Sequence, residues 1–315
     1  MKNNKKILVL TIIVGSFIQS PKAQLYGPFK SIGQIVLFAD TLKVKNKINC
    51  EISRIKAGND SIRPKQLSNF NLAICYVAKN YIDSTCFYLT RSIVQNPEFN
   101  RMILSDSDFD QLHKLPCWKI ITDKIDSVFL SSIPNVTKPK LAVELFHINE
   151  KDQHARGYGL KRLDKIFVNV DSINIIRVEE IIKENGWPTY SMVGKVAADG
   201  AFLVIQHSTT QIQKKYLNQL LDAAKKKEAS SESVALLQDR IMTNEFHCQI
   251  YGTQVFAVKD KVTGKLSKYT YYPIKDEVNV DTRRKEMGLI PVKDYLKMFG
   301  IDYVPGTKFK PPTFE

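Results

Sequence analysis

Gln249-Ile250-Tyr251-Gly252-Thr253-Gln254 runs directly into Val255-Phe256-Ala257-Val258. Two amides, a phenol and a hydroxyl stand within six residues around one glycine, and then the chain turns apolar. A plain core strand does not place four polar side chains there, so this stretch is read as a point where polar groups converge. The period-two alternation predicts a β-hairpin of residues 249–259 and 266–272 across Thr263-Gly264. In that hairpin Gln254 shares a face with Ile250, Phe256 and Val258. Gln249 shares the other face with Tyr251 and Thr253.

Working back from the hairpin, the spacing turns helical. Val234, Leu237 and Ile241 predict a helix capped by Ser230 or Ser231, and it carries Asp239-Arg240 along its apolar edge. Leu217, Leu220, Leu221 and Ala224 predict another, closed by Lys225-Lys226-Lys227, which suits a negative helix end. Val193, Val196, Ala197, Gly200, Val204 and His207 recur at three- and four-residue steps. This places His207 on a buried helical face and makes Gly200 a point of close helix contact. Asp171 reads as the cap of a helix ending at Gly186, before Trp187-Pro188. Leu141, Leu145 and Ile148 make a short helical stripe with Asp152, Gln153 and Arg156 at its end. Beyond the hairpin, Asp281 to Met287 reads as a short helix closed by Gly288. Pro291 opens a last one, stopped by Gly300.

The chain of 315 residues is long enough for two modest domains, and its composition is globular, 43% hydrophobic and 25% charged. Residues 1–23 read as a signal peptide. Lys2, Lys5 and Lys6 precede an apolar run from Ile7 to Ile18, too short to span a bilayer, with cleavage expected after Ala23. The chain is therefore expected to be exported, periplasmic or secreted, with no stable membrane span after cleavage. The leader carries four lysines and no acid, so its removal lowers the net charge from +14 to +10. In an exported protein that charge suits a solvated surface or anionic envelope polymers rather than nucleic acid, for which no motif is present.

Residues 25–130 read as a helical domain. A segment from Pro64 through Leu72, Ala73 and Tyr76, and a second with Thr85, Leu89 and Ser92 stopping at Pro97, match the register of one tetratricopeptide-like repeat. Asn69 stands where that pattern wants an aromatic. Leu104, Phe109, Leu112 and Trp118 read as closing helices, and Ile35 to Ile55 as a preceding pair. Residues 131–139, with Pro134 and Pro139, are read as a linker to an α+β domain over 140–315. The fold expected is thus mostly α, a helical domain followed by a helical domain with one β-hairpin. Five cysteines, Cys50, Cys75, Cys86, Cys117 and Cys248, leave at least one unpaired. Cys75 and Cys86, on neighbouring helices, make the first choice for a disulfide, with two buried thiols the alternative.

Gly186-Trp187-Pro188, Gln206-His207, Asp239-Arg240, Gln249 to Gln254 and Val280-Asp281-Thr282-Arg283-Arg284 occur in this order, after Asp152-Gln153-His154-Ala155-Arg156. Together they resemble a bacterial family known as domain of unknown function 6624, over roughly residues 150–300. The resemblance supports the second domain as one unit and singles out these polar positions. It implies no activity.

Each position has a structural and a functional reading. His207 is a core histidine, a general base or, with no second histidine close in sequence, less readily a metal ligand. Asp239 and Arg240 hold two helices together, or Asp239 orients His207 while Arg240 binds an anion. Gln206, Gln249 and Gln254 form an amide network between hairpin and helix, or position a substrate together with Tyr251 and Thr253. Asp281, Arg283 and Arg284 are a salt-bridge set or a grip on a carboxylate or phosphate. Asp152, Arg156 and Trp187 complete the candidate ligand-binding positions. No nucleophile elbow, phosphate loop or metal-ligand spacing is present, and no cofactor is expected. Two functions follow as expectations. One is a cell-envelope binding protein with a polar pocket for an anionic or amide-bearing ligand, or a peptide partner on the helical domain. The other is a hydrolase of envelope material with His207 as base and Asp239 as its orienter. A purely structural role for the polar motifs is the third.

Overall fold

The computed structural model describes residues 68–95, 103–104, 107–157, 164–259 and 266–306. The leader, the Ile35 to Ile55 segment, Pro64, Pro97 and the Thr263-Gly264 turn lie outside these. The described chain is mostly helical with one two-stranded antiparallel sheet, as the sequence predicts. It forms two compact units, one taking the described residues up to Val204 and the other those from Ile205 onward.

In the first unit, α1 (Ser68–Ala78) and α2 (Ile82–Gln95) pack on each other, turning at Asn80, whose φ is 59°. Leu72, Ala73, Thr85, Leu89 and Ser92 are all buried. The small residues allow the close approach. Their hydroxyls bond backward within α2 and its approach, Thr85 to Tyr81 O and Ser92 to Leu89 O, both at 2.8 Å. A 3-10 turn (Ser107–Leu112) leads to α3 (Pro116–Ser131), which starts on its proline. A disulfide joins Cys86 of α2 to Cys117 of α3. The expected Cys75–Cys86 pair is not formed. Cys75 faces the core of α1, 1% exposed, while Cys86 lies half-buried opposite the start of α3.

Helices α4 (Pro139–Gly157) and α5 (Asp164–Asn185) follow, then the single turn α6 (Tyr190–Val193) and α7 (Lys195–His207). The 131–139 stretch is a turn held by Thr137 N–H on Ser191 O at 3.0 Å and Lys138 N–H on Met192 O at 2.9 Å. Asp171 lies inside α5 and is not its cap, because the helix starts further back. Gly200 meets the expectation of close contact. A Cβ there would stand 2.7 Å from Asn149 Cβ and 2.8 Å from Leu145 O.

The second unit takes the end of α7, α8 (Thr210–Lys225) and α9 (Ser231–Phe246). It continues with β1 (Val255–Lys259), β2 (Leu266–Tyr271), a 3-10 turn (Glu277–Asn279), α10 (Val280–Glu286) and α11 (Val292–Lys297). Thr209 and Ser230 cap α8 and α9 through their side chains. The buried face of α8 is Gln213, Tyr216, Leu220 and Ala223, turned from the purely aliphatic stripe because a glutamine and a tyrosine point inward. Val255, Val280, Val292, Leu296 and Tyr303 form a core under the hairpin. The strands pair from Val255 with Tyr271 to Lys259 with Leu266, with an irregularity between Val258 and Lys259. The first strand is shorter than predicted. It begins at Val255; Gln249 makes an isolated parallel bridge to Ile274, and residues 250–254 are a loop. Gly252, at φ +73°, takes a conformation that would break a strand.

Candidate functional site

Asp239 stands on the inner face of α9 and is 0% exposed. A buried carboxylate demands donors, and the loop 250–254 supplies them. Oδ1 accepts the N–H of Ile250 at 2.6 Å and of Tyr251 at 3.0 Å. Oδ2 accepts the N–H and the hydroxyl of Thr253, both at 2.9 Å, and a longer bond from Tyr251 N–H at 3.2 Å. Burial pushes the Asp239 pKa up, while the donors from Thr253, Tyr251 and Ile250 pull it down.

The loop's carbonyls are met by side chains as well. Arg283 donates to Ile250 O at 3.0 Å, and Arg284 Nη1 to Tyr251 O at 2.6 Å. Tyr295 O–H donates to Thr253 O at 2.8 Å. Gln249 closes the neck of the loop. Its Oε1 accepts Gln254 N–H at 2.8 Å, and its Nε2 donates to Tyr272 O at 2.8 Å. Its own N–H donates to Pro273 O at 2.8 Å. Backbone groups that a sheet partner would have satisfied are thus satisfied by Asp239, Gln249, Arg283, Arg284 and Tyr295. This is why the stretch is rich in polar residues and still buried.

The two arginines are anchored in different ways. Arg283 also bonds Lys275 O, Asp276 O and the Asp276 carboxylate, the last at 2.8 Å. Arg284 is 0% exposed, bonds Ile290 O at 2.6 Å and lies 5.0 Å over the Tyr295 ring. Desolvation lowers its pKa, partly offset by Tyr295 and the neighbouring acids. Asp281 accepts the N–H of Val292 at 2.7 Å and so holds the start of α11. Gln206 and Gln254 both donate to Leu236 O at 3.3 Å, and Gln254 also to the Thr253 hydroxyl at 3.0 Å. Gln206 and Gln254 thus meet on one α9 carbonyl and not on each other.

His207 ends α7, half-buried. It is not among the partners of Asp239, whose lone pairs are taken by Ile250, Tyr251 and Thr253. The expectation that Asp239 orients His207 is corrected on that ground. Tyr295 was not singled out by the sequence. On a short helix its ring reads as ordinary apolar filling, and only the fold shows its hydroxyl on the loop.

A family model for a family of unknown function, DUF6624, matches residues 141–310, more than half the chain. The chain belongs to DUF6624. No curated protein and no solved structure matches it.

The DUF6624 region takes in the whole loop cluster and also reaches back through α4, α5 and α7. Three of its singled-out residues, Asp152, Arg156 and Trp187, belong to the unit before Ile205. Asp152 is 1% exposed and accepts the Gln153 amide at 2.8 Å, and Trp187 is 6% exposed. The side chain of Arg156 lies outside the described residues. Among the described residues no helix is long and apolar enough to cross a membrane. No group of three histidines, cysteines or acids there is placed to hold a metal ion.

Proposed function

We propose that this DUF6624 protein is an exported cell-envelope binding protein, and that its second unit recognises a ligand through a rigid loop without transforming it. The observation that carries this reading is the consumption of Asp239. A catalytic carboxylate keeps a lone pair for a histidine or a substrate, and this one spends its acceptors on the loop backbone. Such a loop is preorganised, so binding costs little ordering entropy. Ile250 and Tyr251 are its partly exposed members, and the basic chain favours an anionic envelope ligand. The Cys86–Cys117 disulfide supports export, since such bonds persist in oxidising compartments. The helical region 25–130 is read as a tetratricopeptide-like spacer with a face for a protein or peptide partner.

The test is to expose the chain without residues 1–23 to envelope saccharides, peptides and small anions while following both its melting temperature and the fate of each compound. A raised midpoint with the compound recovered intact supports the binding reading. Product formation that disappears in His207→Ala overturns it in favour of hydrolysis. No shift and no product leaves the polar cluster as scaffolding alone and overturns both.

A further inference from the structure

Next to the loop, at the end of α9, lies a small surface of rings and positive charge. Phe246 is the last residue of the helix and is 61% exposed. The Lys275 ammonium stands 5.7 Å over its ring. His247 follows at φ 51°, in the left-handed region where a non-glycine residue is strained. Its exposed ring stacks on Tyr272 at 6.4 Å and 18°, and Tyr272 in turn packs on Phe256 at 4.7 Å.

Gln249 fixes one side of this surface. Its amide holds Tyr272 O at 2.8 Å, and its carbonyl accepts the Lys275 N–H at 2.7 Å. The acids beside it are already engaged. Glu245 pairs with Lys214 at 2.9 Å, and Asp276 with Arg283 at 2.8 Å. Glu277 accepts the Gly306 N–H at 2.7 Å. Among the described residues no carboxylate pairs with Lys275, so the charge left on the patch is positive.

We propose that Phe246, His247, Tyr272 and Lys275 form a docking platform for an acidic polysaccharide, a chain of pyranose rings bearing carboxylates. This rests on the binding reading above and names its ligand class. The C–H faces of a sugar ring pack on the negative faces of Phe246 and the His247–Tyr272 pair. The sugar carboxylate meets the ammonium beside them. A peptide would instead call for a groove or an open strand edge, and Phe246 sits at a helix end that is neither.

The test uses the chain without residues 1–23, with polygalacturonate as the acidic saccharide. Neutral dextran and polyglutamate serve as controls, and binding is read by calorimetry at moderate salt. The expected result is binding of polygalacturonate over dextran, weakened at least tenfold by Phe246→Ala and by Lys275→Glu, with parental melting temperatures for both variants. Equal affinity for polyglutamate, unmoved by Phe246→Ala, would overturn the platform and leave simple charge attraction. If polygalacturonate does not bind while another envelope ligand does, and that binding is lost in Tyr251→Ala, the platform fails and the loop reading survives. If no ligand binds at all, both fail.

Discussion

Thr253 puts two hydrogens on one oxygen of Asp239, its N–H and its hydroxyl each at 2.9 Å from Oδ2. A helix side chain and a loop residue fourteen positions later are thereby locked together at the point where the chain enters β1. Removing the carboxylate leaves the N–H groups of Ile250, Tyr251 and Thr253 without their acceptor at a buried site. Asp239→Ala is expected to cost about 3–5 kcal/mol, as for the loss of one side of a buried charged network. Thr253→Val removes the hydroxyl's bond to Asp239 and the bond it accepts from the Gln254 amide, and is expected to cost about 1–3 kcal/mol. Urea unfolding of the two single variants and the double variant checks this. The double variant should cost less than the sum, since the partners are shared.

Gly252 and Gly288 provide a matched comparison. Both have positive φ, +73° and +75°. At Gly288 a Cβ meets nothing within 4 Å, whereas at Gly252 it would stand 2.8 Å from Ile274 Cδ1 and 3.0 Å from Val292 Cγ2. Gly288→Ala carries only the left-handed penalty, about 1–2 kcal/mol. Gly252→Ala adds overpacking, so a total of about 3–4 kcal/mol is expected. Denaturation midpoints in the same buffer should rank them in that order. Equal losses would mean that the packing around Gly252 yields freely.

These residues also show what could be read from the chain alone. Ser230 as a cap, and Gly186, Gly288 and Gly300 as helix stops, are local matters of hydrogen bonding and chirality, and each stands where the sequence puts it. The close contact at Gly200 was legible for the same reason. The polar stretch 249–254 was legible as a site of convergence but not as a loop. What replaces its strand partner is Asp239, ten positions before Gln249, together with Arg283, Arg284 and Tyr295, more than thirty positions after Ile250. Alternation cannot register so distant a carboxylate. The disulfide was misassigned because helix neighbours in sequence present several faces, and only the packing turns Cys75 inward and Cys86 toward Cys117.

Tyr295 gives the loop an alkaline limit. Burial pushes its phenol up to about 12, with the nearby Arg284 charge pulling it partly back. The ordinary tyrosine value is near 10. The folded state therefore holds this proton more tightly than the unfolded chain. The resulting stability is fully present below about pH 10 and is lost as pH rises through about 12. It amounts to at most about 2–3 kcal/mol. Tyr251, Tyr272 and Tyr303 are shifted in the same direction, so the parent should lose stability steeply above pH 10. Tyr295→Phe keeps the ring under Arg284 and should make that loss shallower while lowering stability at pH 8. Urea midpoints between pH 8 and 11.5 read both effects, and an unchanged slope in the variant would remove Tyr295 from the account.

The Cys86–Cys117 bond closes a loop of 31 residues between α2 and α3. Chain-entropy arguments give a loop of that size about 3–4 kcal/mol of stabilisation, by narrowing the unfolded ensemble. Reduction should therefore weaken the helical region before Val204, while the loop built on Asp239, which contains no disulfide, keeps its own hydrogen bonds. Hydrogen exchange with and without reductant separates the two. Amides of α2 and α3 are expected to lose protection, and those of Ile250, Tyr251 and Thr253 to hold theirs. Loss of protection at all of these sites together would mean that the disulfide supports the whole chain as one cooperative body, in which case the two compact units do not unfold independently.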